Sequence, residues 1–452
     1  MKIKFLFASA LFALSINQVS AQYLKNQDYI NSMGVSNTGK ISIYNSYAES
    51  IFLWNPDANI TTDIGAISPG NGYGGLVMFS DDSNYTSGTS IVDGSGNIAE
   101  MSKYNMQTQQ WQTLGRLGGT SGVSAGSGYD ISGDGNTIVG ISYDPVSKKA
   151  VGTVWNGTSL INLGTLNPNR QSRALSVSKD GSVVVGGQDT ASPFRGIVWR
   201  KNSSGTYDGS MLLIDPNLGN ADSNTLGEAR VVSGDGKWIG GGGATNTTDA
   251  YLWNSVDGAI ILKNTLVQAA NSKGYVTGIN YDGSIAVGFF MYFQNLGEMP
   301  QYVPFIWTKQ GGLKNLNTVV KDELKFDLKG DIIQGANDIS ANGKYITATS
   351  HVSGRSSFHT SRIQLPENFL AIQQQEVKAN EIKLYPNPVK DYLNIDSKDK
   401  IETIKIYNTV GQLISQPKIT NNKVSLSNLS SGVYHVNVTT KNGTKSYKII
   451  KK

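Results

Sequence analysis

The side chains able to do chemistry are present in this chain but dispersed. Asp130, Asp208, Asp215, Asp222, Glu228 and Glu298 lie between apolar runs. Two carboxyl groups held about 5–10 Å apart would suit glycoside hydrolysis, yet the spacing singles out no pair. The body offers only His351 and His359, eight positions apart, and the third histidine, His435, sits near the C-terminus. With no third ligand nearby they predict no zinc site. The chain has no cysteine, which excludes disulfides, thiolate metal sites and a thiol nucleophile. Gly240 to Gly243 lack the Lys-Ser/Thr and the helix start that a phosphate cradle needs. No catalytic residue, metal or cofactor is therefore assigned. The aromatic side chains remain. Trp238, Tyr292 and Tyr302 are the candidate ligand contacts, suited to stacking on sugars or peptides. Trp238 is chosen because related positions carry Thr137, Val183, Ile285 and Tyr345.

Those related positions come from a repeat. Asp134, Asp180, Asp235 and Asp282 are each followed directly by glycine and preceded by a short apolar run, with Asn342 in a fifth copy and Thr38 and Asp82 in two weaker ones. Successive turn positions lie 44 to 60 residues apart, a propeller-blade period. Asp-Gly between two apolar runs reads as a tight hairpin, so these aspartates are expected to serve as structural turns rather than as calcium ligands. Six residues on comes a small residue, Gly88, Gly140, Gly186, Gly241, Gly288 or Ala348, where crowding is expected. A third strand carries an aromatic residue, Trp54, Trp111, Trp155, Trp199, Trp253, Trp307 or Phe358, and a fourth strand follows. Four strands per unit fit a blade. The seventh unit has only three strands before Ile363, and Tyr23 to Met33 has no unit of its own. The two ends are expected to share a blade, which would leave no open edge. The less repetitive stretches Pro69–Tyr73, Tyr85–Trp111, Ser203–Leu226 and Phe289–Tyr302 read as loops that carry binding.

The unit resembles the HAF-type repeat of secreted bacterial proteins through its Val-Ser-x-Asp-Gly-x-x-Val-Val-Gly core, which residues 165–199 match best. That resemblance implies an extracellular propeller without fixing an activity. The last seventy or so residues resemble the C-terminal sorting domain of type IX secretion substrates in Bacteroidetes. The matching residues are Tyr385, Pro386, Asn387 and Pro388, then Gly411 in a Tyr-Asn-x-x-Gly-Gln turn, then Gly432 and Tyr434 in a Ser-Gly-Val-Tyr strand, and a lysine-rich end. The resemblance implies partnership with the type IX machinery and cleavage of the domain at the cell surface. Alternation along Ile404–Ile414 and Gly432–Val438 fits half-buried strands of a small sandwich.

The N-terminus agrees with export. Lys2 and Lys4 precede an apolar run that is too short to span a bilayer, and Val19-Ser20-Ala21 is a small-x-small cleavage site. The expected organisation is a signal peptide over 1–21, a seven-bladed β-propeller over 22–363, a linker over 364–380 and a β-sandwich sorting domain over 381–452, all-β throughout. The formal charge of +5 misleads, because residues 381–452 hold twelve basic against five acidic side chains and the leader adds two lysines. The body between them is net acidic, which argues against nucleic acid as a partner. No transmembrane segment is expected. The leading functional expectation is a secreted or cell-surface binding or adhesion module, released or attached to the outer face of the outer membrane, with a glycan or protein ligand. A polysaccharide hydrolase or lyase using loop carboxylates and a structural envelope protein are the alternatives.

Overall fold

The computed structural model describes residues 22–26, 31–45, 50–65, 75–92, 98–118, 126–190, 194–242, 249–267, 272–294, 298–353, 357–373, 382–440 and 443–452. The leader 1–21, the stretch Pro69–Tyr73 and linker residues 374–380 lie outside them. The chain divides into two compact units, residues 1–367 and 368–452. Strands dominate both.

The described part of the first unit contains seven antiparallel sheets, six of four strands and one of three. Each begins on an inner strand and steps outward, as in Ser172–Val177, Val183–Asp189, Phe194–Lys201 and Tyr207–Met211 of the fourth sheet. The second sheet takes its three strands from Tyr85–Ile91, Ala99–Asn105 and Gln110–Thr113, with residues 76–79 running along their inner edge through a Phe79–Thr86 bridge. The described residues of the stretch expected to be an insertion at Tyr85–Trp111 are thus mostly regular sheet. Its alternation is carried by Ser, Thr and Gly, which bury well here but do not look apolar in the sequence.

Adjacent sheets pack face to face through the recurring aromatics. Trp54 and Trp199 are 1% exposed, and Trp155, Trp253 and Trp307 are 6% exposed. Burying a large side chain of this kind stabilises by roughly 2–3 kcal/mol. Phe358 does not belong to the series. It is 45% exposed at the start of its strand, and the residue in tryptophan register is Ile363, which pairs with Ile346. Matching by residue type put the aromatic at the wrong end of the strand.

The expected sharing of a sheet by both ends is present. Strand Gln22–Asn26 pairs along Phe358–Gln364 from Gln22↔Gln364 to Asn26↔Thr360. A buried carboxylate locks it. Asp331 accepts from Tyr23 Oη at 2.8 Å, and lies 3.0 Å from Lys25 Nζ and 2.9 Å from His359 Nε2. Burial pushes the Tyr23 phenol well above its ordinary value, so it stays a donor. The fully buried Arg362 joins the seventh sheet to the first through a bidentate pair with Asp57 at 2.6 and 2.9 Å, which holds the Asp57 carboxyl below its usual range. Arg362 also takes Gln22 Oε1 at 3.0 Å.

The repeated turns differ from two-residue hairpins. Ile131 pairs with Ile138, so residues 132–137 form the connection. Within it Ser132 Oγ donates to Asp134 Oδ1 at 2.6 Å and accepts the Thr137 N–H, while Asp134 Oδ1 caps the Asn136 N–H. Gly135 then turns the chain at φ +71°. Ser178/Asp180, Ser233/Asp235 and Ser340/Asn342 repeat this device. Asp282 keeps the same cap through the Ser284 N–H.

Successive turns are also hydrogen-bonded to one another in a closed circle. Asn37 Nδ2 donates to Asp81 O, Asp81 N to Gly133 O, Gly133 N to Lys179 O and Lys179 N to Gly234 O. Asp235 N donates to Tyr281 O, Tyr281 N to Ala341 O, and Asn342 N to Asn37 Oδ1. These bonds run from 2.8 to 3.1 Å.

The second unit holds two sheets, one of three strands and one of four, around a shared core that includes Leu393, Ile404, Ile406, Val436, Val438 and Ile449. Asn387 works as a backbone surrogate, donating to Lys448 O at 3.1 Å and accepting the Ile450 N–H at 2.9 Å. The tyrosine and prolines around it place that amide beside the final strand. Tyr385 itself is 52% exposed. Gly411 turns the chain at φ +81°, with Asn408 capping the Val410 and Gln412 N–H groups. Tyr434, two residues beyond Gly432, donates to Ser430 O at 3.1 Å.

Candidate binding site in the axial channel

The inner strands share an irregularity that aims side chains at the centre. Six of the seven have a β-bulge: one residue drops out of register at Tyr129, Leu175, Arg230, Thr277 and Asn337 in the third to seventh sheets, and two, Met33-Gly34, in the first. A bulge re-aims the side chain it releases. The released residues, with Leu76 and Met78 from the second sheet, line one cavity of about 290 Å³. It continues toward the turns as a space of about 70 Å³ lined by Asp130, Val177, Lys179, Val232, Gly234, Asp338 and Ala341 among others. The channel therefore narrows toward the circle of bonded turns and widens toward the other end.

The bulge also explains the small residues. A Cβ on Gly140, Gly186, Gly241 or Gly288 would meet the carbonyl oxygen of Ser127, Arg173, Glu228 or Tyr275 at 1.9 to 2.2 Å. Backbone cannot give way at that distance, so in these four sheets a larger residue would displace the inner strand, whereas the seventh sheet keeps its bulge beside Ala348.

At the wide end the inner strands bring charge together. Arg173 Nε forms a very short ion pair with Glu228 Oε1, and the Arg173 guanidinium lies 4.0 Å over the Phe194 ring. Arg230 Nη1 stands 3.8 Å from Glu228 Oε2, too far for a hydrogen bond, and its guanidinium is 5.1 Å over Tyr275. Glu228 thus neutralises Arg173 first and leaves Arg230 donors facing the cavity, with 43% of that side chain exposed. Burial pushes the Tyr129 phenol up, so it too remains a donor.

Deeper in, two carboxylates tie neighbouring sheets. Asp130 Oδ2 accepts from the Val177 N–H at 3.0 Å and Ser176 Oγ at 2.7 Å, across to the fourth sheet. Asp338 Oδ2 accepts the Val35 N–H at 2.9 Å, across to the first. Both occupy the same place in the repeat, four residues before the turn position, where Ser176 makes the corresponding bond to the Val232 N–H at 3.2 Å. Burial pushes both acids up, Asp338 to about 8, with the Asp130 charge adding to the effect.

The expected ligand residues are not brought together. Trp238 sits at the turn end, its ring 6.4 Å from Trp307, against the turn glycine Gly283. Thr137 against Gly181, Val183 against Gly236 and Tyr345 against Gly39 do the same packing in other sheets. Tyr292 and Tyr302 lie at the opposite end of the sixth sheet but on opposite faces. Tyr302 shares its face with Met291 and Phe289, whereas Tyr292 alternates to the other. His351 and His359 likewise point to opposite faces of the seventh sheet, as their partners Phe358 and Ser350 are consecutive in register opposition. No group of three His, Asp or Glu side chains suited to a metal occurs among the described residues. Of the scattered carboxylates, Asp130 and Glu228 reach the channel and its mouth. Asp338 and Arg230 were hidden from strict alternation. Arg230 becomes visible when the repeats are aligned on the turn, as the one charge where other units carry Tyr129, Leu175, Thr277 and Asn337.

With the fold and channel in view, comparisons with known proteins bear on the tail. Residues 383–452 match the family model described as a secretion system C-terminal sorting domain. The tail is a type IX sorting signal. The chain is accordingly exported through that system, and no helix among the described residues is long and apolar enough to cross a membrane. The chain is 29% identical over 84 residues to β-agarase D of Zobellia galactanivorans, a match that covers 19% of this chain and 17% of the agarase. Among solved structures, the β-propeller domain of Myceliophteria thermophila Cps50 (Swd1) aligns at 6% identity with TM-score 0.43, over 76% of this chain and 99% of that one. TolB from Acinetobacter baumannii aligns at 14% identity with TM-score 0.35, over 52% of each chain. The chain thus spans about half of that TolB and under a fifth of the agarase.

Proposed function

We propose that this is an exported, noncatalytic binding protein. Its working part is a seven-bladed propeller of HAF-like repeats over residues 22–363, and its ligand enters the wide end of the axial channel. One observation carries this reading: the inner strands of six sheets bulge toward the same cavity, and in four of them a crowded glycine accompanies the bulge. Two further features support it. The bonded turns tighten the far end, whereas the long connections Met211 to Ala229 and Asn315 to Asp331 lie at the wide end. The channel carboxylates Asp130 and Asp338 are engaged with neighbouring backbone, and Glu228 is held by Arg173, so each has a positioning partner rather than a free reactive face.

The test is to probe glycan and peptide arrays with the secreted protein and with Thr277→Trp, which fills the cavity, after checking that both melt alike. Retention of a ligand by the parent and its loss in the variant is expected. Cleavage of an arrayed polymer by the parent would overturn the noncatalytic reading in favour of a hydrolase or lyase.

A further inference from the structure

The wide end of the channel continues outward across the sixth sheet as a line of aromatic rings. Arg230 lies over Tyr275, Tyr275 is 5.6 Å from Phe289 and Phe289 is 5.8 Å from Tyr302, centroid to centroid. The register explains the line. Tyr275, Phe289 and Pro304 form one rung on a single face, and Lys273, Met291 and Tyr302 form the next rung on that same face. Tyr302 is 37% exposed, Tyr275, Phe289 and Met291 are half-buried, and Lys273 is exposed. Gly335 on the facing inner strand packs against one side of Phe289, where an added Cβ would touch the ring at 3.4 Å. Both cations therefore stand at the Tyr275 end of the line, Arg230 over its ring and Lys273 two residues away on the same strand, and Tyr302 marks the other end.

We propose that the ligand is an acidic polysaccharide bearing carboxylates. Its chain lies along Tyr275, Phe289 and Tyr302, with one carboxylate at Arg230 in the channel mouth and another near Lys273. This rests on the reading of the wide end as the ligand site and names the ligand class. Successive rings stand 5.6 and 5.8 Å apart and are tilted by 45° and 66° to one another, so they offer apolar contact to a chain at several points while leaving its hydroxyls in water. Arg230 is pre-oriented by Tyr275, which lowers the entropy lost when it grips a planar carboxylate. An acidic peptide would match the cations but would leave the line of rings without a regular partner.

Affinity electrophoresis of the full secreted chain in gels holding polygalacturonate, neutral laminarin or polyglutamate decides the matter. Retardation by polygalacturonate alone is expected, with binding weaker by about ten- to a hundredfold in Arg230→Gln, as for loss of a charge-assisted bond. Tyr302→Ala, an exposed site whose melting temperature should not change, is expected to weaken it by about tenfold. Retardation by laminarin or polyglutamate that disappears in Arg230→Gln would overturn the ligand class and keep the channel site. Retardation by polygalacturonate untouched by both substitutions would keep the class and overturn the site, and no retardation by polygalacturonate would overturn the class.

Discussion

Asp338 shows how one residue can couple the ring to pH. Its carboxyl is pushed up to about 8, chiefly by burial, from an ordinary value of 3.8. Between those values the folded state keeps a proton that the unfolded chain has released, so this group's contribution is full below about pH 4 and is lost as pH rises toward 8. Asp338→Asn keeps an oxygen for the Val35 N–H and removes the ionisation. The melting temperature of the parent should fall from pH 5 to pH 8, and that of Asp338→Asn should fall less, leaving the variant the more stable of the two at pH 8. A variant slope as steep as the parent's would show that Asp338 is not the titrating group. Arg362 obeys a related logic. It is fully buried while Asp57 is 56% exposed, so Asp57→Ala strands an unpaired buried guanidinium. It should cost about 3 kcal/mol in chemical denaturation, and Asp57→Ala with Arg362→Met together should cost less. At this scale the turn aspartates and glycines were legible, since Ser-x-Asp-Gly encodes its own local hydrogen bonds. Asp338 was not, because its role depends on the Val35 N–H, 303 positions away in sequence.

The elements divide in the same way. Inner strands and their turns follow from local pattern, and the small residue six places after the turn could be read as crowding. What crowds it, the carbonyl of a bulged neighbour, could not be read, because a bulge shifts register without altering composition. The N-terminal strand is the element that closes the ring. Removing residues 22–26 would strip Thr360–Gln364 of their outer partner and leave Asp331 buried beside His359 without Tyr23 and Lys25. Such a deletion should lower the melting temperature by several degrees and produce concentration-dependent association, read by light scattering, as the exposed edge finds other chains. An unchanged melting temperature and a monodisperse sample would remove the closing role from this strand.

For the molecule as a whole, the sorting signal lies in the second unit, and the binding proposed above lies in the first. Net basic charge belongs to residues 381–452 and 1–21, and the body between them is acidic. Ending the chain at residue 367 should leave the first unit inside the cell envelope. The truncated chain should be found by immunoblot in the periplasm and be depleted from the medium and the cell surface. Normal levels outside the cell would show that the tail is not the export signal.

The sequence by itself determined the all-β character, the blade-length repeat, the turn chemistry, the sharing of a sheet between the chain ends and the secretion tail. Each of these is written in neighbouring residues: a period, an alternation, or a side chain that bonds its own backbone. The tertiary structure alone decided that Arg230, Tyr129, Thr277 and Asn337 face one cavity and that Asp130 and Asp338 tie sheets together. It also separated Trp238 from Tyr292 and Tyr302. Those facts depend on which way a side chain points after a bulge and on which strand lies across the axis, and both are set by long-range packing of the sheets.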